Sequence, residues 1–104
     1  MNYKLLMYWD VKPGTDEEYS EFVLRVWMPG MEALGLQHSE AWLTLWPQQG
    51  NEHPRIMTGG LMESVAKVRA LLQSTEWSIL REQLDRYVEN FSYKVVQATG
   101  DFQI

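Results

Sequence analysis

The sequence predicts an α+β fold: a ferredoxin-like βαββαβ chain with a four-stranded antiparallel sheet and both helices on one face. Three observations predict it. Four stretches alternate or run apolar at strand length, around residues 3–11, 38–46, 55–62 and 91–98. Two longer stretches carry apolar residues at helical spacing, one after the first strand and one after the third. The two middle strands are joined by the polar loop "QQGNEHP", which reads as a long hairpin connection.

In the first strand, "YKLLMYWDV", Tyr3, Leu5, Met7, Trp9 and Val11 share one face, and Lys4, Leu6, Tyr8 and Asp10 share the other. "KPG" breaks it. "TDEE" matches a capping box, in which Thr15 accepts the amide of residue 18 and Glu18 reaches back. Tyr19, Phe22, Val23, Val26 and Trp27 then form a wide apolar stripe. Pro29 and Gly30 are expected to end or bend this helix, and Gly35 to close a further short turn.

The second strand is stopped by Pro47, and the third carries the pair Gly59-Gly60, a sign of a bulge or of close approach by another group. Val65, Val68, Leu71 and Leu72 make the next helical stripe, supported by a Glu63–Lys67 pair. Ser74 or Thr75 caps a further helix on which Trp77, Leu80, Leu84 and Val88 continue at helical spacing, with Glu82–Arg86 as a surface pair. The fourth strand is expected at 91–98. No repeat or linker divides the chain, so residues 1–104 are read as one domain.

Composition narrows the function classes. The formal net charge is −5, and the nine Lys and Arg residues are scattered. Binding nucleic acid or an anionic membrane surface needs a basic face, which this pattern does not supply. There is no cysteine, so disulfides, thiolate nucleophiles and Cys-based zinc sites are excluded. The start "MNYKLLMYWD" reads as neither a signal peptide nor a membrane span, and a cytoplasmic location is expected. Apolar residues make up 45% of a chain of 104, more than one small core absorbs. The surplus points to a subunit interface or a ligand pocket. Met7, Trp9, Trp42 and Trp46 are assigned to the sheet face away from the helices, which a second copy of the sheet covers by two-fold symmetry.

The second strand divides into two faces. Ser39, Ala41, Leu43 and Leu45 suit packing under helices. His38, Glu40, Trp42, Thr44 and Trp46 mix polar groups with large aromatics, as a small-molecule pocket does. A carboxylate at Glu40 could orient the imidazole of His38 and make it a better base. The competing reading is a dimer seam with His38 hydrogen-bonded at the strand end. Trp42 and Trp46 suit stacking on a flat ligand or anchoring an interface. Tyr8 could hydrogen-bond a phenolate or polarise a carbonyl. Asp10, next to a turn, suits a turn-stabilising role. His53 and Arg55 could close over an anionic ligand, or be solvated loop residues.

Two longer stretches carry a resemblance. "VKPGTDEEYSEF" is similar to the strand end, turn and acidic helix start of stress-responsive A/B-barrel domains. "SVAKVRALLQSTEWSILREQL" is similar to the broken second helix of antibiotic-biosynthesis monooxygenase-type and NIPSNAP-type domains. The chain thus resembles the dimeric α+β barrel superfamily over nearly its whole length. The resemblance implies a homodimer whose sheets close into a barrel, with a ligand cavity between sheet and helices or inside the barrel half. Its members include cofactor-free oxygenases, haem-degrading enzymes, lactone isomerases and polyketide cyclases, and fold alone does not choose among them. Haem-degrading members use a first-strand Asn, a Trp and a second-helix His. Here the first-strand place falls near Met7, Trp77 could match the Trp, and "EWSILREQ" has no histidine.

The resulting expectation is a homodimer that binds a hydrophobic, aromatic small molecule. As an enzyme it would work without a cofactor or metal, as a monooxygenase, cyclase or isomerase of secondary metabolism. His38, Glu40 and Tyr8 would carry the chemistry, and Met7, Trp9, Trp42, Trp46 and Trp77 would wall the pocket. The alternative is a non-catalytic binding or structural dimer.

Overall fold

A computed structural model describes residues 3–45 and 55–97. In chain order the elements are β1 (Tyr3–Val11), α1 (Asp16–Phe22), a π-helical turn (Val23–Trp27), α2 (Met28–Ala33), β2 (Gln37–Leu43), β3 (Ile56–Met62), α3 (Val65–Leu72), α4 (Thr75–Leu84) and β4 (Val88–Gln97). The strands form one antiparallel sheet in the order β2-β3-β1-β4. The helices lie on one face, which gives the predicted ferredoxin-like α+β architecture. Among the described residues no helix is long and apolar enough to cross a membrane.

Which face of β1 meets the helices is the main correction. Leu5, Met7 and Trp9 are 0–1% exposed and pack against Trp27, Met31, Leu80 and Leu84 on the helix side. The uncovered side carries Lys4, Leu6, Tyr8 and Asp10 instead. Both faces of β1 hold large apolar residues, so alternation alone does not orient the strand. The core is largely aromatic. Trp9 stacks on Phe91 at 5.9 Å and meets Trp27 edge-on at 5.7 Å, while Trp27 contacts Trp77 at 5.8 Å.

Pro29 does not end the first helix. A proline inside an α-helix lacks an N–H and clashes with the carbonyl four residues back. The π turn widens the backbone just ahead of Pro29, and the helix runs on through Met28–Ala33. The extra residue also shifts the apolar phase: Phe22 and Trp27, five apart, are both buried, whereas Val26 is 39% exposed. α2 ends as expected at Gly35, whose φ is +106°. Leu36 N–H donates to Met31 C=O and Gly35 N–H to Glu32 C=O, a Schellman closure.

The capping box does not form. Thr15 sits at φ −115°, ψ 14°, outside the extended region from which a cap reaches the helix amides. Its hydroxyl donates to Lys12 C=O at 2.8 Å, tying down the Pro13-Gly14 turn, where Gly14 has φ +82°. Ser64 and Ser74 do cap α3 and α4. Glu63 precedes α3, so it does not sit one turn from Lys67 on the helix. At the end of α4 the ion pair is Arg81–Asp85 rather than Glu82–Arg86. Val88 opens β4 instead of extending the helix, and it still faces the core.

The glycine pair of β3 marks close approach. A Cβ on Gly59 would lie 2.5 Å from Leu5 C=O, and one on Gly60 would lie 2.7 Å from Gln37 C=O. A bulge is present too, on the partner strand: two residues, His38 and Ser39, stand opposite Gly60, and His38 takes φ +52°. A second bulge in β4 places Asn90 at φ +60° opposite Trp9.

Candidate functional site

The register gathers the uncovered sheet face. Lys4, Leu6 and Tyr8 of β1 lie beside Leu61, Gly59 and Met57 of β3, and beside Val96, Lys94 and Ser92 of β4. Glu40 and Trp42 of β2 continue the same rows. Gly59 lacks a side chain, so a slot opens between Leu6, Leu61, Lys4, His38, Glu40 and Trp42. Three of the predicted site residues therefore line one concavity. It holds only about 60 Å³, and His38, Glu40 and Trp42 are all exposed. No hydrogen bond or ion pair joins His38 to Glu40 among the described residues. The bulge at His38 and Ser39 breaks the alternation that would make them regular neighbours.

Tyr8 lies on this uncovered face, with Lys94 Nζ 5.7 Å from its ring centroid. Met7, Trp9 and Trp77 do not join it. They are core residues on the helix side, 0%, 1% and 8% exposed, and they line neither the slot nor the cavity described next. Trp46 and His53 lie outside the described residues, as does the rest of the polar loop.

A larger cavity of about 450 Å³ lies at the end of the sheet, where β1 and β2 finish and β3 and β4 begin, beside the start of α1. Val11, Leu43 and Ile56 supply apolar wall. Asp10, Asp16, Tyr19, Ser20, Arg55 and Glu89 supply polar groups. Asp10 is fixed between strands: Oδ1 accepts the Arg55 backbone N–H at 2.8 Å, and Oδ2 accepts Asn90 Nδ2 at 3.0 Å. Its turn-stabilising expectation thus becomes a bridge from β3 to the β4 bulge.

Tyr19 is the distinctive group. Trp9 Nε1 donates to its hydroxyl at 2.8 Å, so the buried indole N–H is satisfied and the phenol is held in one place. The phenol's own proton has no acceptor among the described residues. Burial raises the Tyr19 pKa above its ordinary value of 10.0, and the Trp9 hydrogen bond opposes this more weakly, so the group is a neutral donor near pH 7. In the sequence Tyr19 is one member of an apolar stripe. Its only distinguishing signal is being the one hydroxyl in that stripe. Among the described residues no group of three or more His, Asp or Glu is placed to hold a metal ion.

No protein-family profile matches the chain, and no curated protein matches it in sequence. Solved structures do match. HapK from Hahella chejuensis aligns with a TM-score of 0.74 at 9% identity, over 98% of this chain and 97% of that one. The hydroxynitrile lyase of Passiflora edulis aligns at 0.75 and 9% identity, over 96% and 95%. A dimeric ferredoxin-like protein from Jannaschia aligns at 0.71 and 10% identity, over 94% and 100%. At these identities the likeness is one of fold.

Proposed function

We propose that this chain is a small-molecule-binding homodimer whose ligand enters the cavity beside Tyr19. One observation carries the reading: half-buried Tyr19, its hydroxyl fixed by Trp9 and its proton without an acceptor among the described residues, on the wall of a cavity of about 450 Å³. That volume falls within the range of small-molecule pockets, roughly 300–1,000 Å³, whereas the open-face slot is far below it. A second copy covers the open sheet face, and the Jannaschia neighbour of the same fold is itself dimeric. His38, Glu40 and Trp42 then belong to the seam.

A hydrophobic compound fits Val11, Leu43 and Ile56. Any reaction would be cofactor-free proton transfer within the cavity, of the isomerase, cyclase or lyase kind, and the hydroxynitrile lyase among the fold neighbours supports that range. A second reading keeps His38 as a base with Glu40 and Tyr8 on the open face. It is favoured by His38 holding a backbone conformation that costs a non-glycine residue roughly 1–2 kcal/mol, a type of strain that collects at functional sites.

Uptake of a neutral naphthyl ketone, followed by its fluorescence, separates the two readings. We expect binding by the parent and by Trp42→Ala, and its loss in Leu43→Trp, which fills the cavity. Binding retained by Leu43→Trp and lost by Trp42→Ala would move the site to the open face.

A further inference from the structure

The geometry points to a neutral ligand with a hydrogen-bond-accepting oxygen, of the ketone, aldehyde or ester class, and to exclusion of carboxylates and phosphates from the same cavity. This rests on the Tyr19 cavity being the binding site.

Three features of the cavity lead there. The first is directionality. A phenol oxygen both donates and accepts, but here the Trp9 indole N–H occupies the acceptor side. What remains for a ligand is the O–H, and its complement is an acceptor. The second is charge. Among the described lining residues, Asp10, Asp16 and Glu89 set three carboxylates against the one guanidinium of Arg55. An anionic ligand would enter a net negative site, where carboxylates outnumber the one guanidinium it could pair with. The Asp10 carboxylate receives a donor on each oxygen, so it is anchored in place as part of the negative wall. The third is the apolar wall of Val11, Leu43 and Ile56, which takes a hydrocarbon body with no demand for further polar groups.

The probes are acetophenone, ethylbenzene and benzoate, similar in size and differing in the acceptor and the charge. Binding is read by NMR at the Trp9 indole N–H, which reports directly on the Tyr19 hydroxyl. In the unaltered protein we expect acetophenone to bind roughly five- to tenfold tighter than ethylbenzene, as one net hydrogen bond provides, and benzoate to bind weakest. Tyr19→Phe, followed by the side-chain signals of Leu43 and Ile56, should erase the preference for acetophenone while keeping ethylbenzene binding. Replacing Asp16 and Glu89 by Asn and Gln should raise benzoate affinity toward that of acetophenone. Equal binding of acetophenone and ethylbenzene, or benzoate binding tightest, would overturn the ligand class and leave the cavity as the site. No response of the Trp9 signal to any of the three would overturn the cavity reading itself.

Discussion

The indole N–H of Trp9 donates to the hydroxyl of Tyr19 across 2.8 Å, joining the middle of the sheet to the first turns of α1. Trp9 is 1% exposed, so its N–H has no recourse to water. Tyr19→Phe leaves that donor unpaired and should cost about 1–3 kcal/mol in denaturant unfolding. Trp9→Phe in that background removes the orphaned donor along with the indole's packing, so the two costs should not add.

The same pair sets an alkaline limit. Burial raises the Tyr19 pKa in the folded state above the unfolded value of 10.0. The folded state therefore holds the phenol proton more tightly. Its stabilising share is fully present below pH 10 and is lost as pH rises through the folded pKa. Unfolding free energy measured from pH 8 to 11.5 should fall above pH 10, and the fall should be shallower in Tyr19→Phe than in the parent.

Gly59 and Gly30 should respond differently to alanine. At Gly59 the new methyl would meet the Leu5 carbonyl at 2.5 Å, and backbone in the middle of a sheet cannot withdraw. At Gly30 it would meet the Leu80 side-chain methyls at 2.9 and 3.0 Å, which can rotate, and a helical alanine regains up to about 1 kcal/mol over glycine. Thermal unfolding should show Gly59→Ala destabilised by more than roughly 2 kcal/mol, and Gly30→Ala within about 1 kcal/mol of the parent.

Ser39 carries a buried hydroxyl with no hydrogen-bond partner among the described residues, beside the bulge residue His38. Removing an unsatisfied polar atom recovers its desolvation cost. Ser39→Ala should stabilise the protein by about 1 kcal/mol in chemical denaturation. In the Leu6→Asp background, which separates the two copies, His38→Gly should add up to about 1 kcal/mol by relieving the positive φ.

Much of this arrangement is readable from the chain. Alternation in "YKLLMYWDV", the Ser74 cap and the glycine pair of β3 locate their elements because each is a local signal. The orientation of β1 is not local. Met7 and Trp9 compete with Leu6 and Tyr8 for the core, and only the closing helices decide between them. The bulges at His38 and Asn90 and the π turn before Pro29 each insert one residue, and each resets a phase that periodicity assumes constant. The slot follows from a shared strand face for Glu40 and Trp42, whereas His38 borders it from the bulge. The Tyr19 cavity does not, because it joins the ends of four strands and a helix, and its key hydrogen bond spans two elements.

The division of the sheet into a self-associating open face and a ligand cavity at the strand ends is tested most directly by sedimentation equilibrium on the parent and on Leu6→Asp. Leu6 lies on the open face beside Gly59, away from the Tyr19 cavity. The parent should sediment at twice the chain mass, and Leu6→Asp at the single-chain mass with its circular dichroism unchanged. A parent that sediments as a single chain across the micromolar range, or a Leu6→Asp variant that stays dimeric, would contradict it.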